Sequence, residues 1–565
     1  MNKLLSNKKK IFLSIIALFL TICLISGAIL IGYNYYLNKY MFNLDYSIKD
    51  ACVDSLENTN NYITYGSSND MLLSKSTSSN ICNGIVGVAE DCIMGYEQNT
   101  SGMSVVTSPI TENQFKKAAS EPLSTFSSDV DTASYVTFRQ LVSYGYAKER
   151  MKDTTFRTEE FLNYFNYNYV SPKEGEMFGV TTEVGVCPWN SSNSLVHIGI
   201  KASELTKSDE KPLNLVFLID ASGSMCDNDK LPLLQSSFKK LLTKLDANDT
   251  ISIVTYAGDS RIVAQGIKGN ETKALTAAIN SITAEGSTNG SAGIEEAYNL
   301  AKKYYKKTSN NRVILATDGD LNVGLTDTKD LGEFIAEKKD SGIYLSVLGF
   351  GSDFYNDSIM ETLADKGNGN YSIIDSLKQA NKVLIDEFNG TINTVATDVK
   401  FQVEFDKNIV SEYRLIGYEN RQLENADFDN DAKDAGDVGA GQTLTILYEI
   451  IPTKNSVRTT TTGITSATNS IKQGMTLNIR YKNNYNSKSD KVSHPINCTP
   501  QSKLSDDFTF VSTIAELVMY LNDSTYAKTT DLSTLYNNLK DISLEDEEKA
   551  EFAMLIKNLG ANMER

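Results

Sequence analysis

The chain is 565 residues long, with 54 Lys and Arg against 71 Asp and Glu, a formal charge of −17 and only two histidines, His197 and His494. Charge of that sign argues against a nucleic-acid binder, because such binding rests on Lys and Arg meeting phosphates, and 41% apolar residues exclude a wholly disordered chain. Scarce histidine leaves little for a Ser–His or Cys–His nucleophile or a multi-histidine metal site, so any metal here is expected to be a hard cation held by oxygen.

Residues 1–10 carry Lys3, Lys8, Lys9 and Lys10, and 11–32 form an uncharged apolar run. As a helix, that run is long enough to cross a bilayer core of about 30 Å. The basic end is expected in the cytoplasm and the bulk of the chain outside, as in a single-pass membrane protein. A cleaved signal peptide is the alternative, since Ser26-Gly27-Ala28 resembles a processing site. A lipoprotein reading through Cys23 is disfavoured by Ile22, where a small residue is expected. Six cysteines follow, Cys52, Cys82, Cys92, Cys187, Cys226 and Cys498, an even number that permits disulfides. Cys187 and Cys498, each close to proline at a strand edge, are the first candidate pair, with independent thiols as the alternative; Cys82 and Cys92 would close a small loop.

Residues 33–114, rich in Asn, Ser, Thr and Gly, read as a stalk. An ordered segment is expected over 115–205. Within it TEEFLNYFNYNY (158–169) has the start and aromatic face of a short core-facing helix, and 178–202 alternates as strands, placing His197 inside a strand with no role assigned to it. Over 213–390 the pattern changes. Apolar runs at 215–220, 251–256, 313–318, 344–350 and 371–374 alternate with helical segments near 230–245, 272–283, 291–306, 328–340 and 376–388. Continuous apolar strands with helices between them predict a doubly wound α/β domain around a mostly parallel sheet. Alternation without helices returns at 399–405, 443–450 and 475–481, predicting a β-sandwich over 395–500, and 505–565 reads as helical.

The chemistry concentrates in three segments that end at one sheet edge. Asp220-Ala221-Ser222-Gly223-Ser224 follows the strand ending at Ile219, Gly286-Ser287-Thr288-Asn289-Gly290 opens a helix, and Thr317-Asp318-Gly319-Asp320 closes another strand. Open α/β sheets bind ligands at the carboxyl ends of their strands. Two carboxylates, Asp220 and Asp318, and three hydroxyls, Ser222, Ser224 and Thr288, suit Mg²⁺ or Mn²⁺ better than zinc. Asp227 and Asp320 would extend an acidic rim, or simply be solvated. Asp427-x-Asp429-x-Asp431 has the spacing of a calcium loop but lacks the glycine and closing glutamate, and so reads as a solvated loop.

The DxSxS, Thr and Asp order on this strand and helix pattern resembles the metal-ion-dependent adhesion site of von Willebrand factor type A domains. By position, Asp220, Ser222 and Ser224 match its first motif, Thr288 its second and Asp318 its third, and Gly293 also falls in place. PLSTFSSDVDTASY (122–135), EVGVCPWN (183–190), DKGNGNY (365–371) and RLIGYENR (414–421) resemble a bacterial membrane-anchored group of such proteins. Cys226 stands where that group commonly has a polar residue. The resemblance implies a Rossmann-like fold and a bound Mg²⁺ or Mn²⁺ that takes an Asp or Glu from a protein partner. It implies binding without turnover. A metal-dependent hydrolase is disfavoured because no base stands beside a nucleophile, whereas a scaffold or assembly factor of a cell-envelope complex is the alternative.

Strand-like segments on both sides of the α/β unit predict its insertion into a sandwich built from both flanks, which a Cys187–Cys498 disulfide would support. The helix near 376–388 leads from the α/β unit into the sandwich, and by analogy with the family ligand binding would shift it.

Overall fold

The computed structural model describes residues 110–563 apart from 208–209, 287–289, 320–327, 353–356, 454–472, 484–486, 541 and 543–545. The expected membrane segment at 11–32, the stalk up to residue 109, the cysteines before Cys187, Thr288 and Asp320 lie outside those residues. Among the described residues no helix is long and apolar enough to cross a membrane.

The N-terminal flank supplies β1 (Lys116–Lys117), β2 (Leu123–Ser127), the helices α1 (Ala133–Ser143) and α2 (Thr158–Leu162), and the hairpin β3 (Phe178–Val186) and β4 (Ser194–Ala202). Next come β5 (Leu213–Asp220), α3 (Leu231–Leu241), β6 (Thr250–Tyr256), β7 (Ser260–Lys268), α4 (Thr272–Asn280), α5 (Gly290–Lys303) and β8 (Asn310–Thr317). The α/β unit continues through α6 (Thr328–Asp340), β9 (Tyr344–Phe350), α7 (Asp357–Lys366) and β10 (Tyr371–Ile374). It ends in α8 (Leu377–Asn381), a π turn (Lys382–Asp386) and α9 (Phe388–Ile392). The C-terminal flank holds β11 (Thr394–Phe405), β12 (Val410–Ile416), β13 (Val438–Gly439), β14 (Thr443–Pro452), β15 (Gln473–Lys482) and β16 (Asp490–Asn497). Three helices close it, α10 (Asp506–Leu521), α11 (Leu532–Lys540) and α12 (Glu547–Met563).

The central sheet has the order β10-β9-β8-β5-β6-β7, parallel except for the β6–β7 pair. Every residue of β5 is buried. Its alternate side chains enter two cores: Val216 and Leu218 on one face, and Leu215, Phe217 and Ile219 on the other. A strand covered on both faces must be apolar throughout, and that is why LNLVFLID reads as a continuous run.

Two antiparallel sheets, β1-β12-β14-β4-β3 and β13-β11-β15-β16 with β2 added on β11, enclose the sandwich core. Val196, Ile198 and Ile200 of β4 meet Ile446, Tyr448, Phe401, Val403, Leu477 and Ile479 from beyond the α/β unit. The α/β unit is thus inserted between β4 and β11 of a sandwich drawn from both flanks, so 395–500 was too narrow a span for it. Helix α10 packs against α2, and α12 against α1, through Tyr135, Phe161, Phe165, Phe510 and Phe552. The aromatics of 158–169 are core.

The expected Cys187–Cys498 disulfide is corrected: both are free, buried thiols. They belong to different cores, Cys187 with the helical layer and Cys498 with the sandwich, where its Sγ packs over Gly474. Proline neighbours mark both as strand ends, but β3 and β16 belong to different sheets and the two cysteines face different cores, so the thiols do not pair.

Candidate metal centre

Strands β5 and β8 are parallel neighbours, so Asp220 and Asp318 emerge at the same sheet edge. Asp220 is fully buried, and its side chain is fixed from three sides. Its Oδ1 accepts from the Ser222 backbone N–H at 2.9 Å, and its Oδ2 accepts from Tyr256 Oη–H at 3.1 Å and Thr317 Oγ1–H at 2.9 Å. Burial pushes its pKa up to about 6, with the nearby Asp318 charge adding and the hydrogen bonds opposing.

The next residues turn through a short 3₁₀ segment, Gly223–Cys226, with Ser222 buried and Ser224 exposed at the rim. Their hydroxyls lie 3.0 Å apart. The loop leading to Thr288 is stitched to this turn, since Gly223 N–H donates to Gly286 O at 3.1 Å and Glu285 N–H to Ala221 O at 2.7 Å. Helix α5 then crosses β6 closely: a Cβ at Gly293 would lie 2.7 Å from Tyr256 Cβ, so only glycine permits the approach.

Asp318 is 4% exposed; its Oδ2 accepts from Lys230 Nζ at 3.2 Å, while its Oδ1 has no hydrogen-bond partner among the described residues. Four of the five expected ligands, Asp220, Ser222, Ser224 and Asp318, therefore line one edge, and the fifth, Thr288, lies outside the described residues. The donors are all oxygen with two carboxylates, and a buried, bare carboxylate oxygen is what a hard cation would satisfy. The residues fit the ion. Among the described residues no group of three or more His, Cys, Asp or Glu side chains is placed to hold a metal ion, here or elsewhere, so this edge rests on two carboxylates and hydroxyls.

Tyr256, Thr317 and Lys230 were not singled out from the sequence. The first two end or nearly end neighbouring parallel strands, the signal that found Asp220 and Asp318; Lys230 carries no such signal. Asp227 sits on the rim 3.9 Å from Lys230 Nζ. Cys226 is partly exposed beside it. The acidic stretch at 427–431 is occupied by its own chain: Arg480 pairs with Asp429 at 3.2 Å and Asp431 at 2.9 Å, and Ser489 donates to Asp431. Those contacts hold Asp431 at about 2. His197 is buried in β4 with its Nε2 2.9 Å from Tyr169 Oη, a packed histidine.

Three family models match the chain. The one described as von Willebrand factor covers residues 106–197, the von Willebrand factor type A domain covers 214–386, and the C-terminal region of uncharacterized protein YfbK covers 390–561. The chain is similar to uncharacterized protein YfbK of Escherichia coli (strain K12), 40% identical over 461 residues that span 79% of each chain. It is also similar to uncharacterized protein sll0103 of Synechocystis, 28% identical over 194 residues, 34% of this chain and 44% of that one. A solved von Willebrand factor type A structure from Catenulispora acidiphila aligns with 69% of this chain and 91% of its own, at 15% identity and a TM-score of 0.39.

Proposed function

The chain belongs to the von Willebrand factor type A family that includes Escherichia coli YfbK, and from that premise we propose that it is a binding protein without turnover, whose site is the edge formed by Asp220, Ser222, Ser224, Thr288 and Asp318. The type A domain is a module of protein–protein interaction and adhesion. The observation that carries the finer reading is the buried Oδ1 of Asp318, without a hydrogen-bond partner among the described residues, beside a fully fixed Asp220. A buried carboxylate oxygen without a partner is costly, and Mg²⁺ or Mn²⁺ is the partner this donor set suits.

Bound there, such an ion would supply a strong local positive field and a coordination position open to an acidic side chain of a protein partner. The chain's own residues do the positioning. Tyr256, Thr317 and the Ser222 N–H hold Asp220 in one orientation, Ser222 and Ser224 present hydroxyls from the buried side to the rim, and Glu285 and Gly286, shortly before Thr288 in sequence, are clipped to the same turn. Long-range repulsion between this acidic chain and an acidic partner is screened beyond about 8 Å at physiological salt, so the short-range field at the site decides binding. Residues 11–32 would anchor the chain in the cell membrane with the site outside.

The test is a calorimetric titration of the full chain with Mg²⁺ alone, followed by affinity capture in Mg²⁺ against EDTA, with Asp220→Ala as control. Mg²⁺ binding and Mg²⁺-dependent capture are expected from the parent only. Capture that survives both EDTA and Asp220→Ala would instead favour a permanent envelope scaffold.

A further inference from the structure

Lys230 sits at the start of α3 with its side chain 8% exposed, and its Nζ lies 3.2 Å from Asp318 Oδ2 and 3.9 Å from Asp227 Oδ2. Its pose is built by other loops. The stem runs along Gly351, where φ is +101° and a Cβ would fall 2.9 Å from Lys230 Cγ and 3.0 Å from Cε. The left-handed backbone and the lack of room both demand glycine there. The Gly351 carbonyl accepts from Gln140 Nε2 of α1 at 3.2 Å, and Ser352 Oγ–H donates to Asp229 Oδ2 at 2.7 Å, tying the 350–352 loop to the loop that precedes Lys230. An ammonium held this way is aimed at Asp318 rather than left at the surface.

Resting on the metal-centre reading, we propose that Lys230 is an internal counter-ion of the site: its ammonium neutralises Asp318 while the site holds no cation, and it must yield that contact before a divalent ion can bind. Two positive charges within a few ångströms in a partly dry site repel strongly and are screened little by salt. The free energy of the Lys230–Asp318 pair is therefore subtracted from the affinity for the ion. Asp318 Oδ1, which the lysine does not occupy, gives the ion its first foothold. A monovalent ion recovers less from the exchange, so Lys230 also selects for double charge.

The experiment titrates Mg²⁺, and separately Mn²⁺ followed by electron paramagnetic resonance, into the full chain and its variants, with no partner present. Lys230→Met should bind both ions roughly tenfold more tightly than the parent, and Lys230→Arg should stay within about threefold of it. Circular dichroism checks folding, and Lys230→Gln repeats the measurement should the methionine variant lose its fold. Tighter binding by the neutral variants, or binding by them where the parent shows none, supports the counter-ion role. Parent binding that the neutral variants match or fall below overturns that role and leaves the metal centre standing. No binding by the parent and the neutral variants alike overturns both.

Discussion

Arg139 of α1 grips Asp375, a residue 236 positions further along the chain between β10 and α8. Its Nε donates to Oδ2 at 3.2 Å, and Nη2 donates to Oδ1 and Oδ2 at 2.6 and 2.8 Å. Both side chains are almost fully buried. A fork of this kind fixes angle as well as distance, so the N-terminal flank sets where the last helices of the α/β unit begin.

Arg139→Ala should accordingly cost about 3–5 kcal/mol, because it leaves the Asp375 carboxylate buried without its partner. Denaturation of the full chain in urea measures this. A loss below about 1 kcal/mol, the range of exposed ion pairs, would show that the fork does not hold the two parts together.

A second junction predicts a pH dependence. Arg157 reaches Glu361 of α7 at 2.6 Å and Glu160 at 3.3 Å, and Arg421 reaches Asp365 at 2.6 Å, Asp129 at 2.7 Å and Asp131 and Glu361 at 3.6 Å. These five carboxylates, all but Asp365 buried, outnumber the two guanidinium groups, which favours a shared proton. Burial, opposed by Arg157 and reinforced by Glu160, pushes Glu361 up to about 9 from an ordinary 4.5. Between those values the folded chain holds a proton that the unfolded chain has lost. Stability should therefore fall as pH rises through that window, by up to about 1.4 kcal/mol per unit. Urea midpoints at mildly acid, neutral and mildly alkaline pH should decline in that order, and Glu361→Gln should flatten the decline. A parent that gains stability toward alkaline pH contradicts the shared proton.

The thiols yield a chemical prediction. Burial raises Cys187 well above its ordinary range and Cys498 up to about 12, so both are poor nucleophiles in the native fold. Native alkylation should leave both unmodified, and alkylation after unfolding, with no reductant added, should label both in peptide mass maps. Peptides that remain joined under those conditions would restore the disulfide.

The architecture was legible where local pattern and burial coincide. Runs such as 344–350 and 371–374 are strands from end to end because both faces are covered. β7 was not read, since SRIVAQGIK is a half-exposed edge strand with no clean alternation. β2 was missed because Ser124 is buried as the partner of Tyr448 Oη rather than by apolarity. The insertion into a sandwich could be inferred from alternation on both flanks, but the pairing of β4 with β14 depends on segments far apart in sequence. Asp220 and Asp318 were legible as parallel strand ends; the Lys230–Asp318 pair arises from loop geometry across 88 residues, which no local pattern carries.

The docking of the helical tail makes the last prediction. Phe510 of α10 is fully buried, with ring centroids 4.9 Å from Phe165 and 5.5 Å from Phe552, both edge-to-face. It therefore joins the N-terminal helical segment to α12. Around this cluster, Lys549 pairs with Asp507 at 3.0 Å, and Lys382 of the π turn pairs with Glu548 at 2.9 Å. Lys382 is buried, whereas Glu548, Lys549 and Asp507 keep some exposure, so the Lys549–Asp507 pair holds less than the aromatic contact. Phe510→Ala should cost about 3–5 kcal/mol through lost burial and the cavity left behind. The tail should loosen before the rest, because α11 and α12 would lose the surface they rest on while β5–β10 keep the core on their other face, which contains no residue of the tail. Limited trypsin digestion of the variant should cut first at Lys540 and Lys549. Early cleavage inside the α/β unit instead would show that the tail and the type A domain unfold as one body.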